Sequence, residues 1–201
     1  MSQRWRKERK RDPYHRLAKR HGYRSRALFK LRQIDSRFNL IRKDMRIVDL
    51  GAAPGGWTQY VADKVGKKGL VVAVDLRELD PLPHKNVKTL QIDISDEEAP
   101  KRILEIANGR VDMVLSDLSP SLSGVWEVDV ARQVDLSLRA LKMAKRILKR
   151  SGSMVLKVFE GMDSWRVVEE LRKGFSTVKL FKPPASRKRS AEIYAVGLDF
   201  K

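Results

Sequence analysis

The 201-residue chain reads as one α/β domain built on a mainly parallel sheet with helices on both faces. Three observations lead there. Apolar runs of strand length alternate with helix-length segments along most of the chain. Most of those runs are too apolar to leave one face wet, as befits strands covered on both sides. The stretch Ile47-Val48-Asp49-Leu50-Gly51-Ala52-Ala53-Pro54-Gly55-Gly56-Trp57-Thr58 reads as a buried strand ending in an acid and a glycine-rich turn. That is where open α/β sheets bind ligands.

The elements follow in order. Residues 14 to 38 alternate apolar and basic positions at helical spacing, with Leu28, Leu31, Ile34 and Phe38 on one stripe, so one or two helices precede the sheet. Strands are expected at Arg46 to Leu50, Leu70 to Asp75, Val87 to Ile92, Val111 to Asp117, Ser153 to Phe159, Thr177 to Phe181 and Ile193 to Leu198. A helix opens at Trp57. The clearest helix follows Gly124, where Val130, Val134, Leu138, Leu141, Ala144 and Leu148 recur every three or four residues. Its other face carries Arg139, Lys142, Lys145, Arg146 and Lys149.

Composition narrows the function. The formal net charge is +18, which favours a polyanionic partner through steering and counterion release, and nucleic acid leads. Residues 1 to 12 form a basic arm with six Lys/Arg against two acids, expected to be flexible, and residues 13 to 201 hold the remaining excess. A merely soluble, heat-adapted surface is the blander reading, but solubility does not need one sign in such excess. Cysteine is absent, which removes disulfides, thiolate metal sites and every cysteine nucleophile. No metal is called for. No apolar run is long enough to cross a bilayer and the charged N-terminus lacks a signal peptide's apolar segment, so the expectation is a cytoplasmic monomer with no membrane partner.

The glycine turn is not G-x-G-x-x-G and no G-K-[ST] follows it, so neither a dinucleotide nor a nucleoside triphosphate is favoured. Right-handed crossovers would put the strand ends at one edge, and four carry acids: Asp49, Asp75, Asp93 and Asp117. One such acid is ordinary turn chemistry; four in register are not. Asp75 stands where such folds place an acid against ribose hydroxyls, and Asp93 could meet the amine of an adenine. So many carboxylates would repel a pyrophosphate. S-adenosylmethionine, with its ribose, adenine and positive centre, suits the rim.

Lys157 is a cation inside the apolar run Met154 to Phe159. An unpaired buried ammonium is costly, and a lysine snorkelling from the strand end is an equal alternative on position alone. If the strands at 111 to 117 and 153 to 159 are neighbours, Asp117 meets Lys157 at one edge. A lysine held by a carboxylate beside a methyl donor suits the activation of a hydroxyl.

Five ordered segments then resemble the FtsJ-like ribosomal RNA large subunit methyltransferase E family. They are Gly22 to Leu31, Val48 to Trp57, Ser116-Asp117-Leu118-Ser119-Pro120, Leu156-Lys157-Val158-Phe159, and Ser186-Arg187 through Tyr194, within residues 22 to 198. The resemblance implies a class I S-adenosylmethionine-dependent methyltransferase fold, Rossmann-like, with seven strands of which the last is antiparallel. It implies methylation of a ribose 2′-hydroxyl, in a uridine of large-subunit (23S) ribosomal RNA or in the ribosomal subunit. It also implies a catalytic tetrad of Lys30, Asp117, Lys157 and Glu192, with cofactor contacts at Gly51, Gly55, Trp57, Asp75, Asp93 and Asp117. On sequence alone, Lys30 could equally be an exposed helix residue and Glu192 a solvent-facing strand residue. Lys157 would accept the hydroxyl proton or orient the hydroxyl, and Asp117 would position it.

Rival readings are fewer. A base N-methyltransferase would offer a D-P-P-Y-like segment where this chain has Asp117-Leu118-Ser119-Pro120, and carbon-5 methylation needs the absent cysteine. A non-enzymatic RNA-binding or assembly protein would use the arm and Ser186-Arg187-Lys188-Arg189-Ser190 as phosphate clamps. Arg11 to Lys19 also resembles the corresponding segment of transfer RNA anticodon-loop members of the superfamily, which makes transfer RNA the second substrate.

Overall fold

A computed structural model describes residues 12–201. Most of the arm at residues 1 to 12 thus lies outside the described residues. Asp12, assigned to the arm by its charge, belongs to the folded body: its carboxylate caps α1 (Pro13–Arg20), accepting from Tyr14 N at 3.0 Å, and pairs with Arg26. A second helix, α2 (Leu28–Phe38), precedes the sheet and ends at Asn39 in the left-handed conformation.

The sheet has seven strands in the order β3-β2-β1-β4-β5-β7-β6. β1 (Arg46–Leu50), β2 (Leu70–Asp75), β3 (Val87–Gln91), β4 (Val111–Ser116) and β5 (Leu148–Phe159) are parallel. β6 (Phe175–Phe181) lies at the edge, and β7 (Glu192–Phe200) inserts between β5 and β6, antiparallel to both. Every expected strand forms, and the last is antiparallel. β5 is the main departure: it begins at Leu148, where a helix was expected to continue. Two features explain the longer strand. Leu148 pairs with Val111, and the register slips before Ser153 pairs with Met113, with Ser151 in the left-handed region.

Alternation along the strands feeds two cores. Val48, Val114, Met154, Leu156 and Val158 face α4 (Ala99–Ala107), α5 (Trp126–Ile147) and α6 (Ser164–Gly174); Ile47, Met113, Leu115 and Val155 face α1, α2 and α3 (Gly56–Val65). The central strands are buried on both sides, whereas β3 and β6, at the sheet's edges, are largely exposed or half-buried. No helix among the described residues is long and apolar enough to cross a membrane.

Candidate active site

The parallel strands end together, and a cavity of 360 Å³ opens at their carboxyl ends, bounded by Gly51, Asp75, Ile92, Asp93, Leu118 and Arg132 among others. Gly51 has φ +78°, and a Cβ there would stand 2.8 Å from Leu118 Cδ2, so only glycine lets the turn after β1 pass under the 118 loop. Asp75 Oδ2 accepts from Ala53 N at 2.9 Å and Oδ1 from Arg77 N at 2.9 Å. The acid therefore ties the glycine turn to the end of β2 and keeps lone pairs for a further donor. Asp93, just past β3, accepts from Ser95 N at 2.7 Å and is exposed. Apolar walls of Ile92, Ile94 and Leu118, with the carboxylates of Asp75, Asp93 and Asp135 and the guanidinium groups of Arg132 and Arg139 around them, fit a nucleoside in polarity.

The other expected cofactor residues stand apart from that cavity. Gly55 (φ +108°) is the N-cap of α3, and its neighbour Gly56 packs against the 24–27 segment: a Cβ there would lie 2.7 Å from Ser25 Cβ. Trp57 is core. Its Nε1 donates to Ala27 O at 2.8 Å and its ring lies 5.7 Å from that of Tyr194. The large indole finds more apolar surface under the sheet than in a polar turn, so at the loop Trp57 offers only its backbone.

Asp49 also leaves the rim. It lies inside β1, fully buried, accepting from Thr58 Oγ1 at 2.7 Å, and its Oδ1 has no hydrogen-bond partner in the protein. Burial raises its carboxyl to about 7; the Thr58 hydrogen bond opposes this, while the Asp117 and Asp75 charges add to it.

Beyond Leu118, four charged side chains converge. β4 and β5 are neighbours, so Lys157 reaches Asp117: Nζ donates to the Asp117 carbonyl at 2.7 Å and lies 3.3 Å from Oδ1. Tyr194 faces Lys157 across the β5/β7 ladder and donates its hydroxyl to Asp117 Oδ1 at 2.7 Å. Two residues back on β7, Glu192 accepts from Lys30 Nζ at 2.7 Å and from Ser186 Oγ at 2.8 Å. Lys30 in turn sits 5.9 Å from the Tyr194 ring centroid. One network thus joins Lys30, Glu192, Tyr194, Asp117 and Lys157. Burial pushes the Asp117 carboxyl up, but Lys157, Lys30 and the Tyr194 hydroxyl outweigh it and hold the group below its ordinary range. Burial, then the Asp117 and Glu192 charges, raise Tyr194 far above the usual tyrosine value.

The structure brings together Lys30, Asp117, Lys157 and Glu192, the four residues the family resemblance implied, but sequence reasoning assigned no role to Tyr194, which links the two pairs, or to Ser186, which holds Glu192. A tyrosine two residues from an acid in an otherwise apolar strand was the available signal. Beside Glu192, Arg26, Lys30 and Arg187 bound a cavity of 200 Å³. Desolvation and the charge of Arg187 lower the Arg26 pKa, and Glu192 partly offsets them.

The model of the FtsJ-like methyltransferases matches residues 23–200, a span that takes in the glycine turn, the 360 Å³ cavity and the charged network. The chain belongs to the FtsJ-like methyltransferase family. It is 49% identical, over all of its length and 95% of the relative, to the ribosomal RNA large subunit methyltransferase E of Methanothermobacter thermautotrophicus. The protein of that name from Methanobrevibacter smithii is 43% identical over the whole chain and 96% of the relative. A crystal structure of a ribosomal RNA methyltransferase from Plasmodium falciparum superposes with a TM-score of 0.79 at 26% identity, covering 89% of this chain and 98% of that one. This FtsJ-like methyltransferase therefore has the class I fold its sequence led one to expect.

Proposed function

We propose that the protein uses S-adenosylmethionine to methylate a ribose 2′-hydroxyl of large-subunit ribosomal RNA, at a uridine, acting as a cytoplasmic monomer. In this reading residues 13–201 are the catalytic domain and the basic arm adds RNA contacts. The observation that carries it is the buried Lys157 beside Asp117, where the cavity wall of Leu118 and Ser119 gives way to the charged network.

Bound S-adenosylmethionine supplies a methyl group on a positively charged sulfur. Gly51, Asp75 and Asp93 would hold its adenosine, with the backbone of Gly55 and Trp57 at the start of α3 behind the turn. Asp117 does two things here. Its carboxylate fixes the Lys157 ammonium or amine by geometry, and its negative charge lies toward the positive end of the cofactor. Lys157 Nζ holds the proton of the ribose hydroxyl and aligns its oxygen. Lys30 and Glu192, joined by their hydrogen bond, flank the acceptor on the side where Arg26 and Arg187 can meet phosphate. The names of the two archaeal relatives support ribosomal RNA over transfer RNA.

The test is to incubate the protein with labelled S-adenosylmethionine and either purified large ribosomal subunits or bulk transfer RNA. Label is expected in the ribosomal RNA, at an alkali-resistant linkage, with Lys157→Ala lowering single-turnover transfer by roughly 10²–10⁴ while circular dichroism stays native. Label confined to transfer RNA, or near-normal transfer by a folded Lys157→Ala, overturns it.

A further inference from the structure

Nine large apolar side chains are exposed among the described residues, and six of them fall in two short segments. Leu122, Val125, Trp126 and Val128 lie where β4 passes into α5; Met162 and Trp165 lie where β5 passes into α6. The two segments meet in space. The rings of Trp126 and Phe159 stack at 6.2 Å with an interplanar angle of 18°, and a Cβ at Gly161 would lie 3.0 Å from Val130. Trp165 turns away into a groove with Leu138 and Leu141. What remains is a shelf: an indole 47% exposed, backed on one face by Phe159, with Val125 53% and Met162 78% exposed on its segments.

The shelf is attached to the acceptor site. Phe159 follows Lys157 by two residues and stands opposite Glu192 in the β5/β7 ladder. On α5, Gln133 Nε2 donates to the carbonyls of Leu118 and Lys157 at 3.3 and 3.2 Å, so the helix that carries Trp126 is tied to both active-site strands. Within the two segments the charged side chains are Glu127, Glu160 and Asp163, all exposed acids, while the nearest cations, Arg132 on Ser121 O and Arg166, lie just beyond their ends. The cations Arg26, Lys30 and Arg187 lie at the other side of Glu192, toward α2 on the opposite face of the sheet.

A cation cluster beside Glu192 on one side, and on the other an open aromatic face whose own segments carry only acids, suit a nucleic-acid strand that lays its backbone on the first and splays a base onto the second. We propose that Trp126, backed by Phe159, is a stacking platform for an unpaired RNA base adjacent to the nucleotide whose ribose enters the acceptor site. The inference rests on the reading of the site as an RNA hydroxyl methyltransferase. Its test reads binding, so that the two can fail separately.

The probe is a fluorescently labelled oligouridylate of about ten nucleotides, within the length a single-strand site spans. Affinity is measured by anisotropy for the full chain, Trp126→Ala and Trp126→Tyr, each checked for native circular dichroism. Trp126→Ala is expected to weaken binding by roughly 5- to 100-fold, the range of one lost base stack, and Trp126→Tyr to restore most of it. An oligonucleotide of the same length made wholly of abasic sites should bind the full chain and Trp126→Ala alike. Equal affinity of the full chain and Trp126→Ala for the oligouridylate overturns the proposal. So does a defect of Trp126→Ala seen only on intact ribosomal subunits, which would assign the shelf to a protein. If the full chain methylates no RNA yet the Trp126 effect on binding persists, the methyl-transfer reading falls and the platform stands.

Discussion

The carboxyl ends of β1 and β4 each hold an aspartate, Asp49 fully buried and Asp117 half-buried, and the two are treated in opposite ways. Asp49 has a threonine hydroxyl and one unpartnered oxygen, and its carboxyl rises to about 7. Asp117, one strand over, has Lys157, Lys30 and Tyr194 around it, and its carboxyl is held low. Burial alone pushes both up, so the difference is made by partners. It separates an acid under the glycine turn, held toward its neutral form, from one beside Lys157 held toward its charged form. It also divides the cleft: at β1 to β3 the acids are met mainly by backbone N–H groups and a hydroxyl, at β4, β5 and β7 by lysines and a tyrosine hydroxyl.

Removing the charge from the second half should have the largest effect. Asp117→Asn is expected to lower single-turnover methyl transfer by roughly 10²–10⁴, because Lys157 loses the carboxylate that fixes it. Leaving a cation unpaired in a buried site should also cost stability, on the order of 3–5 kcal/mol. The sign with pH follows from the lowered native value. The contribution of Asp117 is complete above the ordinary carboxyl range and is lost as pH falls through the native one, so the stability gap between the two proteins should close in acid. Urea unfolding at about pH 7 and about pH 3 measures it; a gap that does not close, with full activity, would erase the contrast between the two aspartates.

Asp49→Asn probes the first half. Between 3.8 and about 7 the native chain keeps a proton that the unfolded chain has released, so Asp49 makes stability fall as pH rises across that window and adds nothing further above it. The amide cannot ionise. The variant should gain on the natural protein between about pH 4 and about pH 8, by at most about 4 kcal/mol. Parallel stability curves for the two proteins would show that Asp49 is ionised like any surface acid.

The two halves also differ in how far the sequence reveals them. The strand, glycine turn and helix at 46 to 65 are contiguous, and period and turn chemistry alone locate them; β1 and β2 begin and end at the expected residues. Lys157 stood out as a charge in an apolar run. Lys30 and Glu192, 162 positions apart, are joined only because β7 doubles back between β5 and β6 and α2 packs on that face, and local pattern says nothing of such a return. Family resemblance supplied them. The sequence pattern at Trp57 likewise leaves open which part of the residue faces the turn: its side chain is satisfied by a buried carbonyl, Ala27 O, and the Tyr194 ring, so only its backbone is presented there. The start of β5 was hidden because a register slip breaks the period that announces a strand.

The smallest effect belongs at the outer edge of the cation-rich half. Arg187 is exposed and bounds the cavity beside Lys30 and Glu192, so its removal leaves the buried network intact and takes away one candidate phosphate contact. Releasing one fewer counterion should reduce the slope of log affinity against log salt by about 0.7 on single-stranded RNA. At low salt the affinity itself should drop only a few-fold, and methyl transfer at saturating RNA should be unchanged, because among the described residues no hydrogen bond or ion pair joins the arginine to Asp117 or Lys157. Binding titrations of Arg187→Ala across a salt series decide it. An unaltered slope would mean that the RNA backbone does not pass this edge, and the cation-rich side of the cleft would then owe its charge to the acceptor chemistry alone.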